Sequence, residues 1–238
     1  MTEETEAAPA GPAGLPFAAA AVALLAIVLG AVAALATSIV TYEVLGQSDI
    51  VVVVCAQLAL WSVLVLTCRR FSRRRGTGDF RTDFGLALEP RDLGRGVVVW
   101  LLAIVSVVIA LTLVPERYLG TNTELEEHFE GDAGFIVVAV ITIIGAPVIE
   151  ELFFRGLLLR GLLARLRPGW ALVTQAAVFS VVHVDPLRGA GNVSVVVSTG
   201  VLGVVFGWSA LRYGRLGPSM VAHAVQNSVA TSIVLLTD

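Results

Sequence analysis

The sequence predicts an all-α membrane protein, a polytopic bundle of about seven transmembrane helices. Hydrophobic residues make up 56% and charged residues 15% of its 238 residues, whereas soluble domains have about 45–50% and about 25%. The apolar residues fall in long runs, which is typical of helices that cross the roughly 30 Å hydrocarbon core of a bilayer. A membrane β-barrel would instead show segments of about ten residues with alternating polarity, and the sequence contains none.

Seven apolar runs approach the roughly 20 residues that a transmembrane helix needs, although the fifth is short. The chain is predicted to form one membrane domain. Its residues 1–134 supply N-terminal helices and loops, and its residues 135–238 supply the core that carries the chemistry. The seven predicted spans are Leu15–Val40, Ile50–Cys68, Gly96–Val114, Phe135–Leu159, Trp170–Val184, Val193–Leu211 and Pro218–Leu236.

The positive charges predict the orientation of the chain. All 16 basic residues are arginines, and 13 of them lie in the loops that follow the second, fourth and sixth spans. Because loops rich in basic residues stay in the cytoplasm, we expect a multi-pass protein of the cell membrane with its N-terminus inside and its C-terminus outside. The longest of these loops, 69–95, holds eight arginines, which either anchor the cytoplasmic face or contact anionic lipids.

The fourth predicted span contains three charged residues, although a charge near a helix centre costs about 2.5–3.5 kcal/mol on insertion scales. Glu151 and Arg155 are four positions apart, so they share a helix face and are predicted to pair. Glu150 lies about 100° away around the helix, which leaves it free to face a cavity. We therefore predict a chemical role for Glu150 and a supporting role for the pair.

The fifth and seventh predicted spans contain two of the three histidines of the chain. Phe179 and His183 are four positions apart, so the phenyl ring is expected to pack beside the imidazole. His223 and Asn227 have the same spacing and project together from one helix face. Counting residues from the span ends places Glu150 about 15 Å and Asn227 about 14 Å deep. These depths predict a common site near the middle of the membrane that opens to the cytoplasm.

Two kinds of site suit this set of residues. Glu150 as general base and His183 as its partner would activate a water molecule, and His223 with Asn227 would stabilise a developing oxyanion. Alternatively, Glu150, His183 and His223 would bind Zn²⁺ and leave its fourth position open. The residues leave both alternatives open, so the expected cofactor is either none or zinc.

Three motifs carry a resemblance to a known family. Residues 150–155, EELFFR, resemble the EExxxR motif of the CAAX-protease and bacteriocin-processing family of intramembrane endopeptidases, also called CPBP or Abi. Residues 179–183, FSVVH, are similar to its FxxxH motif, and residues 223–227, HAVQN, to its HxxxN motif. The motifs occur in the family order, and the resemblance covers about residues 135–236.

The resemblance implies an α-helical membrane fold and peptide-bond hydrolysis. It implies that Glu150 and His183 activate water, that His223 and Asn227 form the oxyanion hole, and that Glu151 and Arg155 support them. The family has been described both as metalloproteases and as metal-independent glutamic proteases. Its eukaryotic members cleave prenylated CAAX proteins. The arginine-only, Ala- and Val-rich composition is typical of a high-GC bacterium, which argues against such a substrate here.

Three functional hypotheses use the same residues. The favoured one is an intramembrane endopeptidase, a monomer or weak homo-oligomer in the lipid bilayer, with a peptide or membrane-protein substrate and no nucleic-acid partner. The alternative is a non-catalytic immunity or scaffold protein that binds a partner in the same cavity. A proton-coupled transporter is the weakest, since no inverted repeat supports it. Gly203 and Gly207 form a GxxxG pattern, for which close helix packing is the favoured interpretation and oligomerisation the less favoured one.

Overall fold

The computed structural model describes residues 15–119 and 132–237, and all regular secondary structure within these two ranges is helical. The predicted fold class, an all-α membrane bundle, is therefore confirmed. The helices are α1 (Ala18–Ile39), α2 (Asp49–Arg75), α3 (Phe80–Phe84), α4 (Arg91–Leu111), α5 (132–162), α6 (Pro168–Val181), α7 (Asn192–Tyr213) and α8 (Gly217–Thr237).

Helix α5 is a composite that alternates between α-helical turns and wider π-helical turns, in which hydrogen bonds span five residues instead of four. Such turns are rare in proteins, and those that occur are often at functional sites. The longer π segment begins directly after Glu150, the residue predicted to carry the chemistry. The successive segments are α-helical Asp132–Val140, π-helical Ile141–Gly145, α-helical Ala146–Glu150, π-helical Glu151–Leu159 and α-helical Arg160–Leu162.

Within residues 15–119 and 132–237, five helices are long and apolar enough to cross a membrane, and they correspond to the first, second, third, fourth and sixth predicted spans. Hydropathy alone therefore located most of the membrane-spanning part of the chain. The five observed segments are Ala18–Val44, Asp49–Arg75, Arg91–Leu111, Ile136–Leu163 and Arg188–Tyr213.

The other two predicted spans are also helical but are not among these five segments. Trp170–Val184 corresponds to α6, which has only 14 residues. Pro218–Leu236 corresponds to α8, which has 21 residues and is not among the five segments. The count of seven spans is thus not confirmed. The orientation also stays a prediction, since residues 1–14 and residue 238 lie outside the described ranges.

The bundle packs around the second half of α5. All nine residues of the π segment Glu151–Leu159 are buried, and helices α1, α2, α3, α6 and α7 contact it. A Cβ atom built on Gly161 would lie 2.5 Å from the backbone nitrogen of Ala20, so only glycine allows α1 to approach α5 this closely. The segment that follows Glu150 is therefore held by neighbours on all sides.

The GxxxG residues of α7 face α6 of the same chain. A Cβ atom built on Gly203 would lie 2.9 Å from the Cα of Ala176, and one on Gly207 would lie 2.9 Å from Oε1 of Gln175. Small residues let two helix backbones approach closely, and here they do so within one chain. The packing role predicted for these glycines is present, and the oligomeric state stays a prediction.

A hydrogen-bonded cluster joins the end of α2 to α3. The carboxylate of Asp83, which is 1% exposed, accepts hydrogen bonds from the Ser72 hydroxyl at 2.5 Å and from the backbone N–H groups of Thr77 at 2.8 Å and Gly78 at 3.2 Å. Burial raises the pKa of Asp83, but these hydrogen bonds together outweigh it and place the pKa below its ordinary value. The ionised carboxylate therefore stabilises this loop.

We expect Asp83→Asn to lower the free energy of unfolding by about 1.5–3 kcal/mol, the usual contribution of a hydrogen bond to a charged group. Because the folded pKa lies below the unfolded value of about 3.9, this contribution is complete above that value and is lost as the pH falls through the folded pKa. Thermal unfolding in detergent, compared with wild type at several pH values, measures the difference. The exposed Asp49→Asn is the control, and a difference that did not shrink in acid would contradict the prediction.

Candidate active site

Glu150 ends an α-helical segment of α5 and faces both predicted histidines. Its Oε2 atom lies 3.9 Å from Nε2 of His183 and 3.9 Å from Nε2 of His223. Oε2 is buried, and no described residue forms a hydrogen bond with it. A separation greater than 3.5 Å between polar atoms suits a bridging water molecule. The structure therefore brings these three side chains, from α5, the end of α6 and α8, around one point.

The backbone of α6 determines which nitrogen His183 presents to Glu150. The Nδ1 atom of His183 lies 2.7 Å from the carbonyl oxygen of Phe179. Because a carbonyl oxygen can only accept, Nδ1 carries the hydrogen, and the neutral ring presents an unprotonated Nε2. The Phe179 ring lies beside the imidazole, with 4.4 Å between their centroids. Two acceptors, Nε2 of His183 and Oε2 of Glu150, thus face each other. A water molecule between them could donate one hydrogen to each.

Glu151 lies at the centre of a buried charged network. Its Oε1 atom is 2.9 Å from Nη1 of Arg155 and 3.1 Å from Nδ1 of His223. The side chains of Glu151 and Arg155 are both 0% exposed. The ion pair expected from their spacing is present. The contact with His223, which is 72 positions away in the sequence, was missed, because no local pattern connects residues that far apart.

Aromatic rings enclose the guanidinium group of Arg155. Its Cζ atom lies 4.3 Å from the ring centroid of Phe179 and 5.6 Å from that of Phe206. Cation–π contacts of this kind are stronger when the cation is removed from water. The Phe206 centroid is also 5.5 Å from that of the His223 ring, and sequence analysis did not identify Phe206. Phe179 and Phe206 together shield the charged network from the lipid.

Asn227 lies one turn beyond His223 on α8. Its Nδ2 atom donates a hydrogen bond of 2.8 Å to the carbonyl oxygen of Thr142, in the shorter π segment of α5. No side-chain hydrogen bond joins Asn227 to Glu150 or the histidines within the described ranges. The amide group also has a second N–H. Asn227 therefore connects α8 to α5 beside the site, and sequence analysis missed its partner Thr142.

A zinc site would need three ligand atoms at the correct spacing. Tetrahedral ligands at about 2.0–2.1 Å from the metal lie about 3.3 Å apart, whereas Oε2 of Glu150 lies 3.9 Å from each histidine nitrogen. Within residues 15–119 and 132–237, no group of three or more His, Cys, Asp or Glu side chains is placed to hold a metal ion. The separations between Glu150 and the two histidines are thus wider than a bound zinc ion would set, and the choice between zinc and no cofactor stays a prediction.

Comparisons with known proteins identify the part of the chain that carries this geometry. Residues 132–229 match a family model described as Rce1-like, a type II CAAX prenyl endopeptidase. The match covers less than half of the chain, but it includes all three motifs and confirms the resemblance to the CPBP family. No curated protein and no solved structure matches the chain.

Proposed function

Because residues 132–229 match a family of prenyl endopeptidases, we propose that the chain is an intramembrane endopeptidase. Its substrate would be a peptide or a membrane-associated protein. The observation that carries the proposal is the placement of Glu150 at 3.9 Å from both His183 and His223. A purely structural cluster would need no accessible member, whereas the His183 side chain is 34% exposed. That exposure gives a substrate access to the cluster.

Glu150 acts as the general base in this proposal. A water molecule between Glu150 and His183 donates one hydrogen to Oε2 and the other to Nε2 of the ring. As its oxygen attacks the carbonyl carbon of the peptide bond, one proton moves to Oε2. Glu150 then returns that proton to the nitrogen of the leaving amine when the C–N bond breaks. The carboxylate is thereby regenerated, and the products are a carboxylic acid and an amine.

His223 and Asn227 would stabilise the oxyanion that forms in this step. Nδ1 of His223 faces Glu151 at 3.1 Å, so donation to the oxyanion falls to Nε2. Both ring nitrogens donate only in the imidazolium form. In that form the buried charges balance, because Glu150 and Glu151 are negative while Arg155 and His223 are positive. Glu151 would therefore accept from Nδ1 and orient the His223 ring.

The purified full-length chain in liposomes provides the direct test of this proposal. We expect it to cleave members of a mixed library of membrane-anchored and soluble peptides, with products identified by mass spectrometry. Glu150→Gln protein should give no products. Treatment with EDTA separates the two cofactor alternatives, because an unchanged rate would support a metal-free mechanism and a loss that Zn²⁺ restores would support a zinc site. Products that form equally with Glu150→Gln would refute the mechanism. Peptide binding without any cleavage would favour the non-catalytic alternative.

Asn227→Ala should lower kcat by about 100- to 1,000-fold with little change in KM, because an oxyanion-hole donor acts mainly in the transition state. The matched control is Ser228→Ala, since the Ser228 hydroxyl donates a hydrogen bond of 2.7 Å to the Ala224 carbonyl of its own helix. Peptidase assays and thermal unfolding should be measured on the same preparations. A rate loss that merely follows a loss of folded protein would show that Asn227 acts only through Thr142.

A further inference from the structure

Five exposed arginines at the C-terminal end of α2 take no part in the proposed mechanism. Arg69, Arg70, Arg73, Arg74 and Arg75 are all exposed, and none forms an ion pair with a described residue. Some arginines on the same predicted face are paired, as the contact between Arg215 and Asp92 at 2.6 Å shows. Concentrated positive charge without protein partners requires another source of negative charge.

Three of these arginines lie at one end of a groove between α1 and α2. The groove has a volume of about 460 Å³. Arg70, Arg74 and Arg75 line its basic end. Val22, Leu25 and Leu29 of α1 line its apolar part and are 37%, 59% and 52% exposed. The groove therefore combines a cationic end with an apolar channel.

The length of the groove matches one leaflet of a bilayer. Its α1 side runs from Ala18 to Leu29, a rise of about 16 Å at about 1.5 Å per residue. The hydrocarbon core is about 30 Å thick, so the apolar side covers about half of it. The N-terminal end of α1 meets the C-terminal end of α2 at the arginines. By the positive-inside rule this end faces the cytoplasm, where anionic lipids attract basic residues.

Arg70 and Arg74 also line a neighbouring concave surface of about 640 Å³, together with Arg69, Arg73 and Leu66. Several guanidinium groups thus surround a small region at the membrane surface. The planar donor fork of arginine matches the oxygens of a phosphate group and bonds to them in pairs. This arrangement favours an anionic group with several oxygens, such as a phosphate, over a neutral headgroup.

We propose that the groove between α1 and α2 binds an anionic phospholipid. The headgroup phosphate would contact Arg70, Arg74 and Arg75, and one acyl chain would lie along the apolar side of α1. A water-soluble phosphate would satisfy only the basic end. Because α1 and α2 both contact the π segment of α5, a bound lipid would also stabilise the part of the bundle that carries the network.

The test uses the full-length chain in detergent, titrated with phosphatidylglycerol or phosphatidylcholine and followed by native mass spectrometry. The triple variant Arg70→Gln/Arg74→Gln/Arg75→Gln should bind phosphatidylglycerol at least about tenfold more weakly, since each basic residue near an anionic surface contributes substantially to attraction. Binding of phosphatidylcholine should stay as in wild type. These side chains are exposed, so folding should persist, and thermal unfolding without lipid verifies this.

A matched control removes the same charge elsewhere on the same predicted face. Arg81→Gln/Arg167→Gln/Arg212→Gln also replaces three exposed arginines and should keep nearly wild-type binding of phosphatidylglycerol. An equal loss in both triple variants would overturn the proposal, because the attraction would then be diffuse. Leu25→Trp should also weaken binding by filling the apolar side. Unchanged binding by that variant, or full displacement of the lipid by inorganic phosphate, would show that no acyl chain is bound.

Discussion

Glu150→Gln is expected to lower the rate of peptide cleavage by about 100- to 10,000-fold, the usual contribution of a general base. Glutamine has nearly the same size and can still hold a water molecule, but its amide cannot take the proton. The loss should appear in kcat, with KM close to wild type, because substrate binding does not depend on that proton transfer. Single-turnover assays on the reconstituted protein measure this loss without interference from product release.

Folding of the Glu150→Gln protein should be close to wild type. The Glu150 carboxylate accepts no hydrogen bond at Oε2 from a described residue, and the Glu151–Arg155 pair is formed without it. Thermal unfolding of the variant and of the exposed control Glu43→Gln should therefore differ little from wild type. A variant that unfolds readily would place Glu150 in the structural network. A variant that cleaves at the wild-type rate would remove Glu150 from the mechanism.

Glu151→Ala is expected to give the largest loss of stability, about 3–5 kcal/mol, as for other broken buried ion pairs. The whole free energy of unfolding of a typical protein is only about 5–15 kcal/mol, so much of the variant should fail to fold. The physical reason is that one oxygen of Glu151 serves both Arg155 and His223. Its removal leaves a guanidinium group at 0% exposure without the carboxylate that lies 2.9 Å from it.

Size-exclusion chromatography and thermal unfolding in detergent measure this loss. The double variant Glu151→Ala/Arg155→Met removes both charges and should recover part of the folded protein, because no unpaired guanidinium remains. It should stay inactive, since His223 has lost the carboxylate that orients its ring. A stable Glu151→Ala protein that is merely slow would contradict the argument. The adjacent Glu150 thus provides a matched comparison. A change at Glu150 should lower the rate of cleavage, whereas a change at Glu151 should lower the free energy of unfolding.

Local spacing predicted part of this site. Residues four positions apart share a helix face, which is why the Glu151–Arg155 pair and the stacking of Phe179 on His183 could be predicted. The contact between Glu151 and His223 spans 72 positions and that between Asn227 and Thr142 spans 85. Such contacts depend on how the helices pack, and no spacing along one helix contains that information.

Hydropathy predicted the fold class but not the internal form of α5. Long apolar runs identify membrane helices because the bilayer fixes their length. The π segment 151–159 is buried at every position, so it has no solvent-exposed face whose period could reveal the wider turn. The predicted fifth span extends beyond the end of the helix, because hydropathy shows where an apolar run ends and not where a helix ends. Its apolar run continues to Val184, whereas α6 ends at Val181.

The π segment that follows Glu150 also affects how related chains should be aligned. A π turn holds one residue more than an α turn between the same hydrogen-bonding partners. Such a turn accommodates an additional residue, whereas an insertion into a regular α-helix would rotate all that follows by about 100° around the helix axis. The half of α5 that carries Glu150 and the half that meets α1 at Gly161 therefore do not follow one continuous α-helical periodicity. In a related chain, an alignment gap of one residue within 151–159 would indicate a helix that is α-helical throughout this segment.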